Sequence, residues 1–324
     1  MHADTRPGWV HLSVADLERS MAFYEGLLGL HVLHTAPGFA ALGVPEGDGT
    51  PVPLLFLTCQ PHARPKPPHC RGLYHLALRL PTRRDLAWAL RRLMRHQYAV
   101  EGGADHGVSE AIYLSDPDGH GIELYADRPR EQWPRQGNSI LMATEPLDWQ
   151  GLMAELQPED HVVTASEERA VHEREGRLPE AQPMPAGTRL GHIHLHVSRL
   201  DRAERFYRDA LGLDLVLRYG TSALFFSAGG YHHHVGVNIW AGRDAPPPPP
   251  DAVQLLDFSF VVPSAQEVAA VRQRLRQAGV ELTSLEQQDV QVLSAAGMAI
   301  TADAGFMVHD EDGQAVVVVN GATV

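Results

Sequence analysis

The sequence predicts an α+β protein built from four βαβββ units, because two stretches of the chain each recur once. The stretch "VHLSVADLERSMAFYEGLLGLHVL", residues 10–33, matches "IHLHVSRLDRAERFYRDALGLDLVL", residues 193–217. The stretch "GLYHLALRLPTRRDLAWALRRLMRHQYAV", residues 72–100, resembles "LLDFSFVVPSAQEVAAVRQRLRQAGV", residues 255–280. Self-similarity of this kind indicates a chain assembled from repeats of one supersecondary unit.

The first and third units begin in the same way. Each has an alternating strand, then a helix predicted over 17–28 or 200–211, and then Gly29 or Gly212 in the position of a C-terminal helix cap. Another strand follows each glycine. Because the strand, helix and glycine recur in the same order, both copies are expected to have the same backbone conformation.

The second and fourth units share a strand, a proline break at Pro81 or Pro263 and an amphipathic helix. Their ends also match, because "YLSDPDGHGIELY" corresponds to "FMVHDEDGQAVVVV". In the first of these endings, Glu123 lies on a strand that alternates between apolar and other residues. A buried carboxylate needs a partner, so the environment of Glu123 is the first functional question.

The order of the units suggests two domains. We expect the first two units to pair as an N-terminal domain over 1–130 and the last two as a C-terminal domain over 188–324. The stretch 131–187 is charged and contains prolines, and it is predicted to be a linker with a short helix at "GLMAELQ".

Composition excludes several classes of function. The chain has 324 residues with a net charge of −13, which argues against binding nucleic acid or anionic membranes. Neither a signal peptide nor an apolar run of transmembrane length is evident, and two cysteines provide no disulfide framework, so a cytoplasmic location is expected. The 19 histidines are the unusual feature, because His is a common ligand for transition metals.

Three residues at repeat-related positions predict a metal site. His11 and His75 lie on the first strands of the first two units, and Glu123 lies on the last strand of the second unit. If those two units pack face to face, the three side chains can converge. Two His and one carboxylate with open positions form the facial triad of non-heme Fe(II) enzymes.

Five motifs together resemble those of the vicinal oxygen chelate superfamily (glyoxalase, bleomycin resistance and extradiol dioxygenase proteins): "LERSMAFYEGLLGL", "GLYHLAL", "YLSDPDGHGIELYADRP", "GHIHLHVSRL" and "GGYHHHVGVNIWAG". The likeness is strongest to the bacterial catechol 2,3-dioxygenase group of type I extradiol enzymes. It implies two domains of that fold and ring cleavage of a catechol-type aromatic diol with O2.

The resemblance also implies roles for individual residues. His11, His75 and Glu123 would hold Fe(II), and Mn(II) also suits such a site. Tyr113 would hydrogen-bond the bound catecholate, His106 would be the acid–base residue, and His62 is a weaker candidate for a second supporting His.

One departure affects the location of the metal. In better-known enzymes of this fold the iron lies in the C-terminal pair of units, where this chain has His194, Asp257 and Val317. Because Val317 cannot bind a metal, the site is predicted in the N-terminal half. A rival cluster of His194, His232 and His234 could line a pocket or bind a second metal.

Two other functions remain open for this fold. Glyoxalase-type isomerases or lyases typically use four protein ligands, and "VPLLFLTCQ" offers no carboxylate for the fourth. A non-catalytic protein that sequesters a drug would need no triad of ligands. Antiparallel sheets of this type often associate, so a homo-oligomer is an alternative to a monomer.

Overall fold

Two large β-sheets organise the chain. The computed structural model describes residues 1–46, 48–137, 139–156, 183–298 and 300–321. Across these described residues no helix has the length and apolar character needed to span a membrane.

Each of the four predicted units is present. The strands of the first unit are β1 (Arg6–Val14), β2 (His31–Ala36), β3 (Phe39–Pro45) and β4 (Pro51–Cys59). Those of the second are β5 (Gly72–Leu80), β6 (Gly102–Asp105), β7 (Ser109–Ser115) and β8 (Gly121–Asp127). Those of the third are β12 (Arg189–His196), β13 (Asp214–Tyr219), β14 (Ala223–Ser227) and β15 (Val235–Asn238). Those of the fourth are β16 (Leu255–Val262), β17 (Leu282–Ser284), β18 (Gly305–His309) and β19 (Ala315–Asn320).

The helices lie where the repeats predict them. In the first and third units an α-helical turn continues as a π-helix: Leu17–Met21 with Ala22–Leu27, and Leu200–Glu204 with Arg205–Ala210. The second and fourth units carry α-helices Arg83–Arg95 and Ala265–Gln277, and the fourth adds Gln287–Ala295.

The stretch between the second and third units contains short elements. These are β9 (Arg135–Gln136), β10 (Ser139–Ile140), β11 (Glu145–Pro146) and the helix Trp149–Met153. This helix overlaps the short helix predicted at "GLMAELQ", but it begins two residues earlier and ends at Met153. Most of the expected linker, residues 157–182, lies outside the described residues.

The sheets combine the units differently from the expected domains 1–130 and 188–324. Sheet 1/4 joins the first and fourth units in the order β17-β18-β19-β16-β1-β4-β3-β2. Sheet 2/3 joins the second and third units in the order β11-β6-β7-β8-β5-β12-β15-β14-β13. The expected pairing is corrected here: β1 pairs antiparallel with β16, and β5 pairs antiparallel with β12. Since all four units begin with similar strands, the repeat itself does not specify which first strands pair.

Strand alternation divides each sheet into a core face and a cavity face. Leu76 and Leu78 of β5 join the main hydrophobic core, as do Ile193 and Leu195 of β12. The residues between them therefore point to the opposite face. Burial of each large apolar side chain contributes about 1.5–3 kcal/mol, which fixes the register of the strands and thereby the direction of the polar residues between them.

Candidate metal centre

Three adjacent strands of sheet 2/3 bring His75, Glu123 and His192 together. β5 lies between its parallel neighbour β8 and its antiparallel neighbour β12. Ala77 of β5 pairs with both Glu123 and His192, so the two functional side chains approach from either side of the strand that carries His75. All three are buried.

The spacing of the three ligand atoms suits one metal ion. Oε2 of Glu123 lies 3.1 Å from Nε2 of His75 and 3.1 Å from Nε2 of His192, and the two nitrogens are 3.3 Å apart. An octahedral ion with bonds of about 2.1 Å separates neighbouring ligands by about 3 Å. The triangle therefore matches one face of an octahedron, which is the arrangement of a facial triad. This is the single group of at least three such ligands found within the described residues.

The protonation states in this group favour metal binding. Burial by itself would raise the pKa of Glu123, but His192 and His75 outweigh it and hold the pKa well below its usual range. Burial lowers the pKa of His192 to about 4. At neutral pH the site therefore offers an ionised carboxylate and a neutral imidazole, the forms that bind metals.

The structure corrects the predicted position of His11. His11 lies in sheet 1/4, where its Nδ1 donates to Asp257 Oδ2 at 2.9 Å and its Nε2 lies 2.8 Å from Thr58 Oγ1. His192 occupies the place expected for His11. The error follows from the unit pairing: β5 forms its sheet with β12 of the third unit rather than with β1 of the first.

A cavity of about 360 Å³ opens beside the three ligands. His75, Glu123 and His192 lie in its wall, and none of its lining residues is Lys or Arg. The remaining lining residues are mainly aromatic and apolar: Tyr74, Ala104, His106, Val108, Ser109, Tyr113, Met142, Ala143, Thr144, His194, Leu217, Tyr219, Phe225, His233 and Trp240. The cavity has the size and character of a site for a small uncharged aromatic molecule.

Tyr113 and His106 form a hydrogen-bonded pair in this wall. The carbonyl of Ala143 accepts from His106 Nδ1 at 2.8 Å, so the proton of the neutral imidazole is on Nδ1. Nε2 of His106 then accepts from the Tyr113 hydroxyl at 2.7 Å. Burial, followed by the charge of Glu123, raises the pKa of Tyr113 above its ordinary value.

His233 also lines the cavity, although the sequence pattern does not single it out. Asp127 Oδ1 accepts from Nε2 of His232 at 2.9 Å, which leaves Nδ1 of a neutral His232 as an acceptor for Nδ1–H of His233 at 2.9 Å. Nε2 of His233 then carries a lone pair. The ring centroids of His233 and His192 lie 4.0 Å apart. The run "YHHHV" was the available signal, but strand alternation drew attention to the first and third His.

The other sequence-predicted residues are not part of the ligand triangle, although the rings of His194 and His75 have centroids 5.0 Å apart. His62 is exposed, has a φ of 64° and does not line this cavity. His194 lines the cavity and accepts from the amide of Asn238 at 3.0 Å. His232 is bound to Asp127, and His234 stacks on Tyr231 at 4.9 Å. The rival cluster thus forms no common set of ligands among the described residues.

Comparisons with known proteins agree with this architecture. The model of the family described as Glyoxalase/Bleomycin resistance protein/Dioxygenase superfamily matches residues 6–124 and 189–318. The chain is 45% identical over 290 residues to the catechol-2,3-dioxygenase of Bacillus subtilis (strain 168), covering 88% of this chain and 93% of that protein. The chain is therefore a homologue of a catechol-2,3-dioxygenase.

Solved structures share the fold at low sequence identity. A protein of Bacillus subtilis subsp. subtilis str. 168, proposed to be a dioxygenase, is 12% identical with a TM-score of 0.58, covering 97% of this chain and 86% of that one. Glyoxalase I of Zea mays is 14% identical with a TM-score of 0.53, covering 99% and 94%. At these identities the likeness concerns the fold alone.

Proposed function

Because the chain belongs to the Glyoxalase/Bleomycin resistance protein/Dioxygenase superfamily, we propose that it is an extradiol dioxygenase that opens a catechol-type ring with O2. The observation that carries the proposal is the triangle of His75, Glu123 and His192 in the wall of a mainly aromatic and apolar cavity that has no Lys or Arg in its lining. The 45% identity to a catechol-2,3-dioxygenase supports the same reaction. Fe(II) is the proposed ion, since two His and one carboxylate with open positions suit it.

When bound, the ion would supply a template for the diol and O2 and a route for electron density between them. The side chains of the three strands would fix the position of the ion. Their burial keeps bulk water from the ligands, which preserves the open positions for the diol and O2. The aromatic wall would orient the ring of the substrate.

Tyr113 and His106 would handle one proton of the diol. In the tautomer that the Ala143 carbonyl selects, the Tyr113 hydroxyl donates to His106 Nε2, so its oxygen can accept from a substrate hydroxyl. Transfer of the Tyr113 proton to His106 would accompany that step. The raised pKa of Tyr113 keeps the phenol protonated between turnovers.

His233 would be a second hydrogen-bond acceptor in the cavity. The chain from Asp127 through His232 orients its ring and leaves the Nε2 lone pair free for a hydroxyl of the substrate. Burial, with His192 next in effect, lowers the pKa of His233 well below its usual range. His233 is therefore neutral when substrate arrives.

The test is anaerobic reconstitution with Fe(II), a measurement of bound iron, and then addition of catechol in air. A yellow ring-opened semialdehyde is expected from the wild-type chain, and Glu123→Ala should lose both the iron and the colour. Asp257→Asn, which changes a carboxylate of sheet 1/4, is the matched control and should keep both.

Two outcomes would overturn the proposal. Colour that persists in Glu123→Ala would place the reaction elsewhere in the chain. Iron bound at one equivalent without colour from any of several catechols would favour an isomerase or a binding protein of the same superfamily.

A further inference from the structure

Sheet 1/4 carries a second cavity at the position equivalent to the metal centre. Its volume is about 530 Å³, and its floor is formed by β1, β4, β16 and β19. Leu285 and residues of the helix Gln287–Ala295 line the opposite side, together with the hairpin of β2 and β3. The side chains of His11 and Asp257 are 22% and 14% exposed, so small molecules can reach them.

A chain of hydrogen bonds lies on the floor of this cavity. Asp257 accepts twice, from Trp9 Nε1 at 3.3 Å and from His11 Nδ1 at 2.9 Å. With the proton of His11 on Nδ1, its Nε2 accepts from the Thr58 hydroxyl at 2.8 Å. The three hydrogen-bond donors of Trp9, His11 and Thr58 are therefore all used. The lone pairs that stay available to a ligand are those of Asp257 and Thr58.

The chemistry of the lining defines the ligand that would fit. A carboxylate offers about four lone-pair positions, of which Trp9 and His11 use two, so a ligand must donate hydrogen bonds to it. The lining residues include Asp257 and neither Lys nor Arg, which disfavours anionic ligands. The absence of a carboxylate at Val317 removes the metal ligand that Glu123 provides in sheet 2/3.

The walls favour an aromatic ring. Phe39 and Phe56 stack with ring centroids 6.0 Å apart, and His11 meets each of them edge-on at 6.3 and 6.1 Å. Trp9 packs edge-on against Phe56 at 5.7 Å. An inserted ring would find both aromatic faces and aromatic edges, the geometry in which such rings attract one another.

We propose that the cavity of sheet 1/4 is a second binding site, which takes an uncharged phenolic ring by hydrogen bonds to Asp257 and Thr58 without a metal. The phenolic hydroxyl would donate to the carboxylate of Asp257. The second hydroxyl of a catechol would reach Thr58. The site would bind phenolic rings, the class of molecule that the metal centre is proposed to cleave. It lacks the metal ligands that ring cleavage requires.

The experiment follows the indole N–H signals of the full, iron-loaded chain by NMR under argon while phenol is added. Phenol has a single hydroxyl and is no substrate for diol cleavage, so binding is measured without turnover. The five tryptophans give five indole signals, and Trp9→Phe identifies that of Trp9. Phenol should shift the Trp9 signal saturably, because Trp9 Nε1 shares Asp257 with the ligand.

Variants and ligands of matched shape test the assignment. Asp257→Val and the milder Asp257→Asn should each weaken phenol binding by at least about tenfold, and Thr58→Val should weaken binding of catechol more than that of phenol. Glu123→Gln should leave the phenol dependence of the Trp9 signal unchanged. Anisole, which lacks the donor, and benzoate, which is anionic, should bind at least about tenfold more weakly than phenol.

The proposal fails if the Trp9 signal does not respond to phenol in the folded wild-type chain, or if the Asp257 variants bind phenol as the wild type does. Tighter binding of benzylammonium than of phenol would contradict the class of ligand. Because the readout does not depend on ring cleavage, its failure is distinct from failure of the proposed dioxygenase activity.

Discussion

Sheet 2/3 and sheet 1/4 share one architecture and differ in the side chains on their cavity faces. Register defines the equivalence: Glu123 pairs with Tyr113 across β7 and β8 as Val317 pairs with Met307 across β18 and β19. The four positions hold His75, Tyr113, Glu123 and His192 in sheet 2/3 and Asp257, Met307, Val317 and Trp9 in sheet 1/4.

Four equivalent positions separate the candidate metal centre from the cavity proposed to bind a phenolic ring. In sheet 1/4 a single carboxylate remains, and Trp9 and His11 hydrogen-bond it. In sheet 2/3 two imidazoles and a carboxylate point to one position within 3.3 Å of one another. The fold positions the side chains, and their identity determines the chemistry.

The largest contrast is expected between His192→Ala and His11→Ala. Loss of His192 should reduce iron affinity by more than about 100-fold, since changes to hydrogen-bond partners of metal ligands already cost 10–100-fold. His11→Ala alters the other cavity and should keep iron affinity and ring cleavage within about threefold of wild type. Iron content after dialysis and the rate of yellow product give the readout.

Loss of iron in His11→Ala but not in His192→Ala would support His11 as the ligand, as first predicted from the sequence. Equal losses in the two variants would mean that the sheets are coupled more strongly than their separate cavities indicate.

The next contrast is between Tyr113 and its equivalent Met307. Tyr113→Phe removes the hydroxyl that contacts His106 and should lower kcat about 100-fold, the usual effect of removing one positioned proton donor. Bound iron should stay at the wild-type level. Met307→Leu in the other cavity should change neither quantity, and a fall in kcat for Met307→Leu would show that sheet 1/4 takes part in catalysis.

The sequence predicted much of sheet 2/3. The repeats predicted four units, and the positions of His75 and Glu123 in those units predicted that the two side chains converge. The family resemblance implied that Tyr113 and His106 lie in the same site. The roles of Tyr113, His106 and His62 stay predictions.

The second His ligand, which joins His75 and Glu123, could not be predicted from the repeats or from strand alternation. The repeat aligned His11 with His194, and "HIHLHV" places His192 and His194 on the same strand face. Which of them reaches Glu123 depends on the register of β12 against β5, which contains an irregularity between Leu190 and His192. Pairing between distant strands is set by packing of the whole sheet rather than by local pattern.

The two sheets also share a turn, and its fourth-unit copy predicts a pH effect. Asp310 accepts from the Tyr207 hydroxyl at 3.1 Å, as Asp116 does from Tyr24 at 2.9 Å. Burial raises the pKa of Asp310 to about 6, against about 3.9 in an unfolded chain. The folded state therefore binds the proton more tightly. Protonated Asp310 therefore stabilises the folded state by about 3 kcal/mol relative to the ionised form. This stabilisation is fully present below about pH 4 and is lost as the pH rises through about 6.

Urea unfolding of wild type and Asp310→Asn between pH 4 and pH 7 measures this effect. The free energy of unfolding of the variant relative to the wild type should increase by about 3 kcal/mol across that range. A constant difference between the two proteins would mean that Asp310 has an ordinary pKa in the folded state.

The smallest contrast concerns two equivalent glycines. A Cβ on Gly191 would lie 1.8 Å from the hydroxyl oxygen of buried Tyr125, whereas a Cβ on Gly8 would meet the smaller Ser259 Oγ at 2.5 Å. A Cβ on Gly8 would also meet Val261 Cγ2 at 2.8 Å. Gly191→Ala should destabilise the chain by about 2 kcal/mol and Gly8→Ala by about 1 kcal/mol, because the overlap at Gly191 is deeper and involves a large buried ring. Thermal unfolding measures both, and a larger loss for Gly8→Ala would contradict the assigned packing.

The most direct measurement of the central claim is an anomalous difference map at the iron edge from crystals loaded anaerobically with Fe(II). One peak is predicted in sheet 2/3, within bonding distance of Nε2 of His75, Nε2 of His192 and Oε2 of Glu123. A peak beside His11 and Asp257 in sheet 1/4, with none at the three ligands, would contradict the assignment of the metal centre.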